Sequence, residues 1–155
     1  MISLRFLTLM SMLALVSIAQ AATAQEQQDP VAYDTGRYMG IPWASGGAGE
    51  EARNVMMEEL SDYNLRLEFA VTAGNYLGDI AVTVSRAGGG AVLRAFSSGP
   101  WLMAKLPAGT YTVRASGYGE TFDETVQVPA TGMETIIFNQ WTKEGVDAAT
   151  PGPWY

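Results

Sequence analysis

The chain of 155 residues contains no cysteine and no histidine. Without cysteine there is no disulfide, no thiol nucleophile and no thiolate metal site. Without histidine there is no imidazole base, so Ser-His and Cys-His dyads are excluded, and no imidazole metal ligand either. Charge is also scarce, at 16% of residues, and most of it is negative: nine Lys and Arg stand against 16 Asp and Glu, for a net charge of −7. Nucleic-acid binding requires a basic footprint that this balance does not supply. Anionic lipid head groups would likewise repel such a surface. What is plentiful is apolar sequence, 48% of the chain, and glycine, with 17 residues besides. That suffices for one modest core.

The N-terminus reads as an address. Arg5 supplies a positive start, Phe6 to Ile18 is almost unbroken apolar sequence, and small residues follow at Ala19, Ala21, Ala22 and Ala24. This is the order of a secretory signal peptide. The apolar run is shorter than the about 20 residues of a bilayer span. Cleavage is expected after Ala24, or after Ala21, giving a periplasmic or secreted protein with no membrane insertion once the signal is removed. The chain then divides into a signal peptide over 1–24, an N-terminal arm and helix over 25–62, a β module over 63–139 and an extended tail over 140–155.

Residues 31–47 mix Tyr33, Tyr38 and Trp43 with turn formers and fit no period, which predicts an irregular arm. Ala52, Val55, Met56 and Leu60 fall on one helical face, which predicts a single helix over 48–60. Glu50 and Glu51 occupy its first turn, where carboxylates complement the helix dipole. Past Asp62 the period becomes two. Leu65, Leu67, Phe69 and Val71 alternate with Arg66, Glu68 and Thr72. Further strands are expected around Ile80, Ala91, Trp101, Tyr111, Thr121 and Met133, separated by Gly- and Pro-rich turns. Seven short strands at this spacing predict a mainly β protein, a seven-stranded antiparallel β-sandwich preceded by one short helix, with a barrel as the alternative closure.

The run Leu106-Pro107-Ala108-Gly109-Thr110-Tyr111-Thr112-Val113, followed by Gly117-Tyr118, resembles the carboxypeptidase regulatory-like (transthyretin-like, or prealbumin-like) domains. The resemblance covers about Asn75 to Phe138. It implies a transthyretin-like sandwich and a non-catalytic accessory role, binding protein or sugar partners in the cell envelope. The helix and arm before Tyr63 have no place in the usual module. A hydrolase branch of the transthyretin-like proteins depends on histidines, which this chain lacks. The motif also has its own physics. Pro107 fixes φ, Gly109 admits positive φ, and Tyr111 buries a ring whose hydroxyl needs a nearby acceptor.

Three aromatics stand out as binding candidates: Trp43, Trp101 and Tyr118. Indole and phenol faces stack on sugars or fill partner pockets, so a carbohydrate-binding module is one reading. The competing reading has Trp43 and Trp101 covering the ends of a small core. A carboxylate-only hydrolase is a further alternative, with Asp123 and Glu124 as first suspects, because Glu124 shares parity with Phe122, Val126 and Val128. Ser45-Gly46-Gly47-Ala48-Gly49 before the helix has the form of an anion cradle, but it carries no lysine and runs into Glu50 and Glu51, so helix capping is the expectation there. No cofactor, metal or catalytic residue is expected. The partner is expected to be an envelope protein or glycan.

Overall fold

The structure, a computed structural model, describes residues 33–148. The expected signal peptide with both cleavage positions, and Trp154 near the C-terminus, lie outside the described residues. The elements run β1 (Tyr33–Tyr38), β2 (Ile41–Gly46), α1 (Glu50–Glu59), β3 (Leu65–Val71), β4 (Ile80–Arg86), β5 (Ala91–Ser97), β6 (Trp101–Ala104), β7 (Gly109–Gly117), β8 (Glu120–Val128), β9 (Glu134–Trp141) and α2 (Lys143–Ala148). The protein is mainly β. Its strands form a five-stranded sheet, in the order β1-β2-β6-β3-β9, and a four-stranded sheet, in the order β5-β4-β7-β8.

The strand count is therefore nine among the described residues, not seven. The two additional strands come from the segment expected to be an irregular arm. Met39 and Gly40, at φ 47 and φ 85, make a two-residue turn with both centres left-handed, the form whose twist suits a hairpin. β1 and β2 pair across it from Tyr38↔Ile41 to Tyr33↔Gly46. Pro42 lies ahead of the first residue that pairs with β6, Trp43, so its missing N–H removes no ladder bond there. Gly36 faces Trp43 in the register, and a Cβ on it would run into the indole, so the bare glycine admits the ring. The pairing is also not wholly antiparallel. β3 and β9 run parallel, because β9 enters the five-stranded sheet after a crossing from the other one. The described part of the expected extended tail is likewise corrected, since β9 continues to Trp141 and α2 follows, while 149–155 lie outside the described residues.

Alternation explains the core. The inward residues of β3 (Leu65, Leu67, Phe69) join those of β4 (Ile80, Val82, Val84), β7 (Tyr111, Val113, Ala115) and β8 (Val126, Val128) in one buried cluster drawn from both sheets. Burying each such side chain contributes about 1.5–3 kcal/mol. Phe69 stacks on Phe138, and the Trp141 indole meets Phe122 edge-on at 4.8 Å and donates Nε1–H to the Gly117 carbonyl. Ser45 and Ser97, both fully buried, link β2 to β5 through their hydroxyls, 3.0 Å apart.

α1 begins with Glu50 and Glu51 and ends at Leu60, whose N–H returns to the Met56 carbonyl. Met56 and Leu60 of the expected stripe are buried, while Ala52 and Val55 are half-buried. Met56 and Leu60 join Ala44, Trp101 and Met103 in a second, smaller cluster. α1 therefore covers part of the face of the five-stranded sheet that is turned away from the main core. No helix among the described residues is long and apolar enough to cross a membrane.

Candidate functional site

The surface beside α1 combines charged side chains with exposed apolar ones. Trp101, at the start of β6, is only 7% exposed. Its Nε1–H donates to the Glu68 carboxylate on β3, 3.2 Å away. Glu68 and Trp101 are register partners, so the alternation of two neighbouring strands places both on the side facing α1. Two guanidinium groups lie over the indole: that of Arg66 at 4.5 Å from the ring centroid and that of Arg53 at 5.9 Å. Arg53 also lies 5.1 Å over the Tyr76 ring and donates to the Gly47 carbonyl at 3.0 Å. Gly47, at φ +79, brings its backbone so near the indole that a Cβ there would sit 3.1 Å from Trp101 Cγ.

Neither arginine has an ion-pair partner among the described residues. The ion pairs among the described residues are Lys105 with Asp62, Arg114 with Asp123 and Lys143 with Asp147. Arg66 instead directs Nη1 at the Met57 sulfur, 3.2 Å away, which is a weak acceptor. Its Nε is buried with no acceptor at all. A buried unpaired donor costs about 1–3 kcal/mol. Around this cluster stand three exposed apolar side chains: Ile137 (54%), Tyr76 (51%) and Met57 (41%). Ile137 is the β9 register partner of Glu68, and Met57 follows Arg53 by one helical turn.

The three aromatic candidates do not converge. Trp43 packs partly buried against the main core, while Trp101, on the neighbouring strand β6, belongs to the cluster under α1. Tyr118 stands in the β7–β8 turn at φ 53, followed by Gly119 at φ 80. Its hydroxyl donates to the Gly78 carbonyl at 2.9 Å. Asp123 and Glu124 are consecutive on β8 and point to opposite sides of it. Asp123 takes both nitrogens of Arg114 at 2.8 Å, and Glu124 accepts from Gln140 at 3.3 Å. Tyr111 is buried and donates its hydroxyl to the Pro107 carbonyl at 2.7 Å, which closes the Leu106-Pro107-Ala108-Gly109 turn onto β7. Arg86, Gly109 and Tyr111 help line an open depression of about 280 Å³ beside that turn. Within Ser45–Gly49, the Ser45 hydroxyl is engaged with Ser97 and the Gly47 carbonyl with Arg53, so this segment is tied into the sheet and the Trp101 cluster.

Three tyrosines have raised pKa values, as do Arg114 and Lys143 through the hydrogen bonds they donate to Asp123 and Asp147. Tyr33 donates to the Glu59 carboxylate, and that bond, with burial and the nearby negative charge, pushes its pKa up to about 12. Burial raises Tyr63 and Tyr118, with help from Asp62 and Asp79 respectively. Asp62 and Asp123 are lowered by the hydrogen bonds they accept from Lys105 and Arg114. Among the described residues no group of three or more His, Cys, Asp or Glu is arranged to hold a metal.

Two residues escaped the sequence reading. Arg53 and Arg66 belong to no motif, and only the pairing of β3 with β6, joined to the docking of α1, brings them to one indole. Arg66 does sit on an outward strand position, but so do most charged residues. The chain matches no protein-family model, and no curated protein matches it significantly.

Proposed function

We propose that this chain is an exported, non-catalytic β-sandwich of the carboxypeptidase regulatory-like (transthyretin-like) kind, which acts as a binding or accessory module in the cell envelope. Its binding surface is the face of the five-stranded sheet beside α1. The observation that carries this reading is the placement of exposed Tyr76 and Met57 against two arginines that overlie an indole and have no ion-pair partner among the described residues, with exposed Ile137 on the adjoining strand. Apolar contact area beside aromatic and arginine side chains is the composition of interface hot spots. The closed turn at Tyr111 and Pro107 supports the fold resemblance. Trp43 and Tyr118 then serve the fold, and Trp101 anchors the surface from beneath.

The test is panning of a displayed random-peptide library on the purified mature protein, beside an Ile137→Glu, Tyr76→Glu variant. Both positions are exposed, so the variant should keep its thermal midpoint. Peptides that bind the parent and not the variant are expected. Enrichment of nothing, or of peptides indifferent to the variant, overturns the assignment of this surface.

A further inference from the structure

We infer that the surface beside α1 receives an acidic segment of a partner protein, one that alternates Asp or Glu with apolar residues. The inference rests on the binding reading above and specifies the chemistry of the partner. The described part of this acidic chain has carboxylates in excess, yet Arg53 and Arg66 have none within ion-pairing distance. Both are held against Trp101 instead. Stacking on an indole fixes a guanidinium while leaving N–H groups at its edge for a carboxylate; Arg53 uses Nη1 on the Gly47 carbonyl and keeps its other donors.

The hydrogen bonding of Arg66 is correspondingly incomplete. Nε has no acceptor, and Nη1 faces the Met57 thioether. Met57 is exposed and unbranched, so it can swing aside at little cost. A carboxylate in its place would accept in the bidentate manner that arginine favours. Glu68 does not fill this role: its carboxylate accepts the Trp101 Nε1–H through Oε2 and lies within ion-pairing distance of neither arginine. The cluster thus sets two cations against one acid. Ile137 and Tyr76 at its margin provide apolar contact for the alternate residues of an extended segment.

Fluorescence anisotropy with a short labelled peptide alternating Glu and Leu tests this, beside a Lys-Leu peptide and free glutamate. The Glu-Leu peptide is expected to bind, more weakly as salt rises. Arg66→Gln and Arg53→Gln should each weaken it about tenfold or more, as loss of a charged hydrogen bond does. Ile137→Glu, at an exposed position, should weaken it as well without altering the fold. Arg94→Gln, on an exposed position of β5 in the other sheet, should leave it unchanged.

Binding of the Lys-Leu peptide, lost in Ile137→Glu, would overturn the acidic partner while keeping the surface as a binding site. Equal binding by Arg66→Gln and Arg53→Gln would also overturn it, as would self-association of the protein abolished by Ile137→Glu, which would make a second copy the occupant. Saturation by free glutamate with no gain from the peptide would reduce the site to a small-carboxylate pocket. Failure of every peptide in both this assay and the library panning would instead remove the binding reading itself.

Discussion

Asn64 makes more of the tertiary connections than any sequence motif would suggest. It lies just before β3 and is buried, and its side chain is fully used. Nδ2 donates to the Leu106 carbonyl at 2.8 Å and the Pro129 carbonyl at 2.9 Å, while Oδ1 accepts the Leu106 N–H at 2.8 Å. Its backbone adds bonds to Ala104 and Glu134. One residue thus fixes the ends of β6, β8 and β9 against the start of β3. Asn64→Ala would leave the buried Leu106 carbonyl and N–H and the part-buried Pro129 carbonyl without these partners, at a cost of about 3 kcal/mol. The expected readout is a lower urea midpoint with an unchanged slope. Asn64→Asp should be worse at neutral pH, because an ionised carboxylate has no donor for the two carbonyls it would face. Its deficit should shrink on acidification, when protonation restores one donor. A deficit that does not change between neutral and acidic pH would show that the amide donors are not what matters.

Strand alternation past Asp62 was legible because one side of each strand is dry, and the expected segments around Leu65, Ile80, Ala91, Trp101, Tyr111 and Thr121 all lie in observed strands. β1 and β2 were not legible. Their outer side is partly roofed by α1 and their inner side is only partly buried, so neither gives a clean period. Parallel pairing of β3 with β9 was also hidden, since no local signal marks which distant strand joins a sheet edge. The same non-locality concealed the arginine cluster on Trp101 and the link between sheets. In that link the Ser97 hydroxyl donates to the Gly99 carbonyl, Ser45 and Ser97 share a bond, and the Gly99 N–H reaches Ser45 Oγ at 3.4 Å. Ser45→Ala is therefore expected to lower stability by about 1–3 kcal/mol through the groups left unpaired. Thermal unfolding of Ser45→Ala and Ser97→Ala, singly and together, would show it: the double variant should lose less than the two singles added. Additive losses would mean that the two hydroxyls act independently.

For the whole molecule, composition and geometry together fix a pH profile. The absence of histidine removes the side chain that ordinarily titrates near neutrality. The groups whose pKa values move do so away from that range, Asp62 and Asp123 downward and Tyr33, Tyr63, Tyr118, Arg114 and Lys143 upward. Stability should therefore be flat from about pH 6 to about pH 9. Asp62 and Asp123 bind protons less readily folded than unfolded. Their contribution is present above the unfolded carboxylate pKa of about 3.9 and is lost as pH falls through their lowered folded values. The tyrosines act in the opposite sense, because the folded state holds their protons more tightly. Their contribution is complete below the unfolded pKa of about 10 and disappears as pH rises, for Tyr33 through its folded value of about 12. Thermal midpoints across this range should thus form a plateau with an alkaline shoulder. Tyr33→Phe removes the hydroxyl that donates to Glu59, so it should make the fall between about pH 10 and about pH 12 shallower. An unchanged alkaline slope in Tyr33→Phe would place the Tyr33–Glu59 bond outside the folded state's proton balance.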